Sequence, residues 1–185
     1  MSVQVQTRRF TVEEYRRMAE AGILGEDDRV ELLDGEIVVM APIGERHAAC
    51  VRRLNNLLAA RFMGRAIVDA QNPVHLDRWS LPQPDVTLLR PRADFYTVHP
   101  GPGDILLVIE VAETSVEYDR EVKIPLYARA GIPEAWLVDL PGERILVCAE
   151  PTPDGYRRVR SVGRGEALAP AGLPGVELSV DDVLG

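Results

Sequence analysis

Four residues of this sequence have the types and the order that phosphodiester hydrolysis needs: the acids Glu31, Asp85 and Glu110, and the lysine Lys123. Carboxylate oxygens suit a hard cation such as Mg²⁺, with Mn²⁺ as a substitute; one or two protein carboxylates hold it, and water and substrate phosphate complete its shell. Such a cation polarises a phosphoryl oxygen and lowers the pKa of a bound water. A lysine beside it orients or deprotonates that water and stabilises the charge building on the phosphoryl oxygens. Composition singles out Lys123, the only lysine in a total of 21 lysines and arginines. Lysine can shift its pKa enough to exchange a proton, whereas a guanidinium stays charged.

The elements that must position these residues follow from local pattern. Residues 29–40 (RVELLDGEIVVM) predict a β-hairpin, because Asp34-Gly35 is a two-residue turn signal between apolar runs. Glu31 falls on its first strand. Pro84-Asp85 introduces a strand over 86–89, which puts Asp85 at its leading end; taken alone, Asp85 reads as a turn aspartate. Residues 105–109 form a run apolar enough for a buried strand, and Glu110 is expected at its end, meeting solvent. Thr114 and Glu117 have the capping-box spacing, so a helix is expected to begin near Ser115, or else at Asp119. Asp119, Lys123 and Tyr127 then share one face, with Val122, Leu126 and Ala130 toward the core. Pro125 predicts a bend or a late start.

Before these, residues 7–21 predict a first helix with Thr11 as N-cap, and residues 43–63 a second, with Ala48, Val51, Leu54, Leu58 and Phe62 at helical spacing. Its other face carries Arg46, Arg52, Arg53 and Arg61, as a solvated face or as phosphate contacts. His47 on the same helix is a ligand, a base or a structural histidine. Short strands are expected over 66–70 and 73–76. The punctuated loop 90–103 carries Arg90, Arg92, Phe95 and Tyr96, and either lines a nucleic-acid groove or packs on a second subunit. A strand over 134–140 and a hairpin of 144–149 with 156–161 follow. The order predicts a mixed α/β (α+β) fold, a sheet flanked by helices.

At 185 residues the chain is expected to form one domain, 1–185. No apolar run approaches the roughly 20 residues that span a bilayer. The start, MSVQVQTRRF, lacks the apolar core of a signal peptide, so the cytoplasm is the expected compartment and no membrane partner is expected. Cys50 and Cys148 form no spaced pair and read as packed thiols. The net charge of −8 argues against coating nucleic acid non-specifically, which depends on many phosphate neutralisations.

The stretches VELLDGEIV from Val30 with His47 downstream, PDVT from Pro84, IEVAETS from Ile109, and YDREVKIPLYARAGIPEAWLVD from Tyr118 resemble the Uma-type restriction endonuclease family of the PD-(D/E)XK nuclease superfamily. The likeness runs from about Thr11 to Leu140 plus the C-terminal hairpin. It implies a restriction-endonuclease-like fold: a central mixed β-sheet flanked by helices, with an extra N-terminal hairpin and a C-terminal hairpin. It implies that Asp85 and Glu110 are the metal-binding acids, that Glu31 supports them, and that Val111 offers its backbone carbonyl. The family signature has lysine two residues after the second acid, where this chain has Ala112; Lys123 is the expected replacement. The implied function is a Mg²⁺-dependent DNA endonuclease, as a homodimer so that two sites cut two strands, with Arg90, Arg92, Arg52 and His47 toward DNA. The alternatives are a catalytically silent nucleic-acid-binding or protein-interaction module on the same fold, and separate acids with Lys123 merely paired to Asp119.

Overall fold

The computed structural model describes residues 7–25 and 27–185; the start of the stretch read as lacking a signal-peptide core, residues 1–6, lies outside them. Helix α1 (Val12–Glu20) begins where expected, because Thr11 and Glu14 close a reciprocal capping box: the Glu14 amide donates to Thr11 Oγ1 and the Thr11 amide to Glu14 Oε2. Strands β1 (Val30–Leu33) and β2 (Glu36–Val39) form the predicted hairpin. Its turn needs positive φ at both central residues, 48° at Asp34 and 83° at Gly35. A Cβ at residue 35 would also sit 2.7 Å from Arg9 Cβ, so glycine fits on both counts.

The central sheet has six strands in the order β3 (Ile67–Ala70), β4 (Val86–Leu89), β5 (Ile105–Ala112), β6 (Glu134–Asp139), β7 (Arg144–Thr152) and β8 (Gly155–Gly163). All neighbours are antiparallel except β5 and β6, whose parallel pairing requires the helical crossover between them. The architecture is the predicted mixed sheet flanked by helices, with the C-terminal hairpin β7–β8 inside it. Residues 73–76 are not a strand; their amides go to Pro82, Pro100 and Ser80 carbonyls across loops rather than to a ladder.

Alternation along the strands decides which side chain faces which layer. On β5, Leu107, Ile109 and Val111 pack with Leu54, Leu58 and Phe62 of helix α2 (Glu45–Phe62) and with Val180 and Val183 of the C-terminal helix. Val108 and Ala112 face the opposite layer, with Ile124, Leu126 and Tyr127. Glu110 shares the parity of Val108 and Ala112, so it points into that second layer. The sequence reading missed the tail's elements, the short β9–β10 pair (Ala167–Leu168 with Leu178–Ser179) and helix α5 (Val180–Leu184).

The crossover runs through α3 (Val116–Tyr118), a π-helical stretch (Asp119–Lys123) and α4 (Ile124–Arg129). Pro125 lacks an amide proton and would collide with a carbonyl four residues back in a regular helix. The wider turn, closed by the Ile124 amide on the Asp119 carbonyl, relieves that conflict. The expected Thr114–Glu117 capping box is absent; the N-cap residue is Ser115, without a side-chain cap bond. Val122, expected in the core, is turned outward and 38% exposed, because the π turn rephases the helix. No helix among the described residues is long and apolar enough to cross a membrane.

Candidate functional site

Three loops of chain history bring the acids to one cleft. The hairpin is tied to the segment before β4 by Leu81 amide to Leu32 carbonyl and Gly35 amide to Trp79 carbonyl. The Gln83 amide donates to Glu31 Oε2 at 3.0 Å, so the hairpin acid is fixed two residues before Asp85. Asp85, leading β4, accepts the Val111 amide of neighbouring β5 at 2.8 Å, which sets it beside Glu110. The π turn then lays Lys123 over the same sheet face.

Lys123 Nζ lies 2.9 Å from Glu110 Oε1 and 3.3 Å from Glu31 Oε2. All three side chains are about 5% exposed or less. Glu110 is therefore buried, contrary to the expectation that it meets solvent: β5 continues through Val111 and Ala112, which pair with β6, and roofs the carboxylate with the crossover helix. The Tyr127 hydroxyl donates to the same Glu110 oxygen. Lys123 is not paired with Asp119, which instead accepts Ser115 Oγ at 2.6 Å. Replacing such a buried ion cluster by well-packed apolar residues is generally neutral or stabilising, so stability does not account for it.

Burial pushes the Glu110 carboxyl up to about 8, Lys123 opposes this, and Asp85, Asp119 and Glu31 add to it. Burial disfavours the Lys123 ammonium, but Glu110, Glu31 and Asp119 more than offset that and hold it protonated. Burial also raises Asp119, against the Ser115 hydroxyl and Lys123, and raises Tyr127 with Glu110 adding.

The fourth acid has its own partner. His47 Nε2 sits 3.0 Å from Asp85 Oδ2, and this bond raises the histidine's pKa against the opposing effect of burial. Its Nδ1 is buried with no hydrogen-bond partner. The cleft that Glu31, His47, Asp85, Glu110 and Lys123 line encloses about 600 Å³ and also includes Arg29, Val39, Ile43, Glu113, Tyr118 and Asp119. Glu31, Asp85 and Glu110 thus share one cleft, yet no group of three or more acids, histidines or cysteines among the described residues is drawn tightly enough to enclose a metal ion. Their inner oxygens are turned onto Lys123, Tyr127, His47 and the Val111 amide instead.

The arginines expected toward DNA lie outside this cleft. Arg52 is exposed on α2, Arg90 Nε donates to the Gly103 carbonyl, and Arg92 pairs with Asp94 at 2.6 Å and stacks 4.4 Å from the Tyr96 ring. None of the three lines the cleft; Arg29 does. The sequence reading left Gln83 and the His47–Asp85 pairing unrecognised, since nothing local marks contacts 52 and 38 residues apart. Tyr127 and Asp119 were legible only as companions of Lys123 on one helix face.

The Uma2 family model, described as "Putative restriction endonuclease", matches residues 12–181. Among solved structures, the chain is similar to a "putative nuclease belonging to DUF820" from Anabaena variabilis, with a TM-score of 0.74, 15% identity, and coverage of 95% of this chain and 97% of that one. A comparison with curated proteins finds no match.

Proposed function

The chain belongs to the Uma2 family, and from that premise we propose that it is a metal-dependent DNA endonuclease whose centre is the cleft floored by Lys123 and Glu110. The observation that carries this reading is the Lys123 ammonium, buried between the Glu110 and Glu31 carboxylates in a cleft that Asp85 also lines. The chemistry of the donor set suits a hard divalent cation, because Glu31, Asp85, Glu110 and Asp119 all bring carboxylate oxygens to the cleft. Asp85 and Glu110, supported by Glu31 and the Val111 carbonyl, would hold Mg²⁺ or Mn²⁺. Such an ion supplies Lewis-acid polarisation of the phosphoryl group.

The chain's own residues do the rest. Lys123 keeps its proton and stabilises charge building on the phosphoryl oxygens from Nζ. Tyr127 and Gln83 hold Glu110 and Glu31 in place, and His47 holds Asp85. A homodimer and a cytoplasmic location go with this reading. Sedimentation velocity reads the former directly.

The test is supercoiled plasmid with Mg²⁺ or Mn²⁺, comparing the native chain with Glu110→Ala and Lys123→Ala. Nicking by the native chain alone is expected, and equal nicking by all three would sink the assignment. A second reading, a catalytically silent nucleic-acid-binding or protein-interaction module, is favoured by the way each acid is already satisfied by a protein partner. No nicking by any of the three proteins supports it.

A further inference from the structure

Resting on that hydrolytic reading, we infer that the cleft takes an unpaired DNA strand rather than an intact duplex. The first observation is depth. Lys123, Glu110 and Glu31 are about 5% exposed or less at the floor of the cleft. A single strand is thinner and more flexible than a duplex, so its phosphate reaches groups at such a floor with less widening of the cleft.

The second observation is charge. Acids crowd this cleft, and Arg29 is the single arginine lining it. A duplex is gripped through many phosphates along a basic track, and the exposed arginines of β8, Arg157, Arg158 and Arg160, stand on a sheet edge outside this cleft.

The third observation is the rim. Val39 (78% exposed), Ile43 (44%) and Tyr118 (37%) all line the cleft while presenting apolar surface to solvent. An aromatic lip such as Tyr118 suits a strand whose bases are unstacked, because every base offers a π-face to stack on it. Tyr118 precedes the π turn directly, so a base laid on its ring brings the neighbouring phosphate toward Lys123. Arg29 at the same mouth supplies one phosphate contact. Entry costs unpairing a duplex but nothing in a strand already single, and a negatively supercoiled plasmid presents such strands locally.

The experiment uses fluorescein-labelled oligonucleotides of one sequence, single-stranded or as a blunt duplex, bound in Ca²⁺ by anisotropy and cut in Mn²⁺. The single strand is expected to bind more tightly and to be cut faster. Tyr118→Ala is expected to lower its affinity about tenfold, with Tyr118→Phe retaining it. Blunt duplex bound as tightly as the single strand, or Tyr118→Ala without effect, would overturn the inference. Single-strand binding that depends on Tyr118 without any cutting would support it while sinking the hydrolytic reading. Cutting that prefers the duplex would do the reverse.

Discussion

Lys123 Nζ lies 2.9 Å from Glu110 Oε1, across the gap between a π turn and the middle strand of the sheet. The lysine follows Glu110 in the chain only after the strand has ended and the crossover has begun, and its ammonium still reaches that carboxyl group. The pair's burial makes it sensitive to loss of either partner. Lys123→Met removes the cation held between Glu110 and Glu31, and we expect a loss of about 3–5 kcal/mol in stability. Urea denaturation reads this, and the double variant Lys123→Met with Glu110→Gln should recover part of it.

Removing the Tyr127 hydroxyl tests the same oxygen from the other side. Tyr127→Phe deletes the donor to Glu110 Oε1 without changing the ring's packing. A cost of about 1.5–3 kcal/mol is expected for a bond to an ionisable partner. A denaturation midpoint equal to the native one would show that this bond contributes nothing net.

The pH dependence has a definite sign. The Glu110 carboxyl is raised from 4.5 to about 8 in the folded chain, so between those values the folded state keeps a proton that the unfolded state has lost. Its contribution to stability is full below pH 4.5 and is lost as pH rises through about 8. His47, raised above 6.5 by Asp85, has the same sign from pH 6.5 upward. In metal-free protein, urea midpoints measured from pH 5 to 8.5 should fall, and Glu110→Gln should flatten that fall.

How far the site could be read from sequence depends on contact distance along the chain. The hairpin was legible because Asp34-Gly35 is a local turn signal, and the strand–acid–helix–lysine order because each step is a local pattern. The burial of Glu110 was not, since it depends on β6 pairing with Val111 and Ala112. Val122 was misplaced because an i→i−5 bond leaves no periodic trace beyond Pro125. His47 and Asp85 meet only because α2 packs on the sheet, a tertiary fact with no local signature.

His47 is expected to act by positioning Asp85. His47→Ala removes one of the two partners, the other being the Val111 amide, that hold Asp85 Oδ2, and loss of such an orienting partner typically weakens metal binding by about 10- to 100-fold. Calorimetric titration with Mn²⁺ measures this apart from any turnover. Unchanged Mn²⁺ affinity would remove His47 from the site's machinery.

The most direct measurement is the initial rate at which native protein and Glu110→Gln open supercoiled plasmid in Mn²⁺, with circular dichroism confirming that the variant is folded. The account predicts that a folded Glu110→Gln opens plasmid at least about 100-fold more slowly. Equal rates from the two folded proteins would contradict the claim that hydrolysis happens at this cleft.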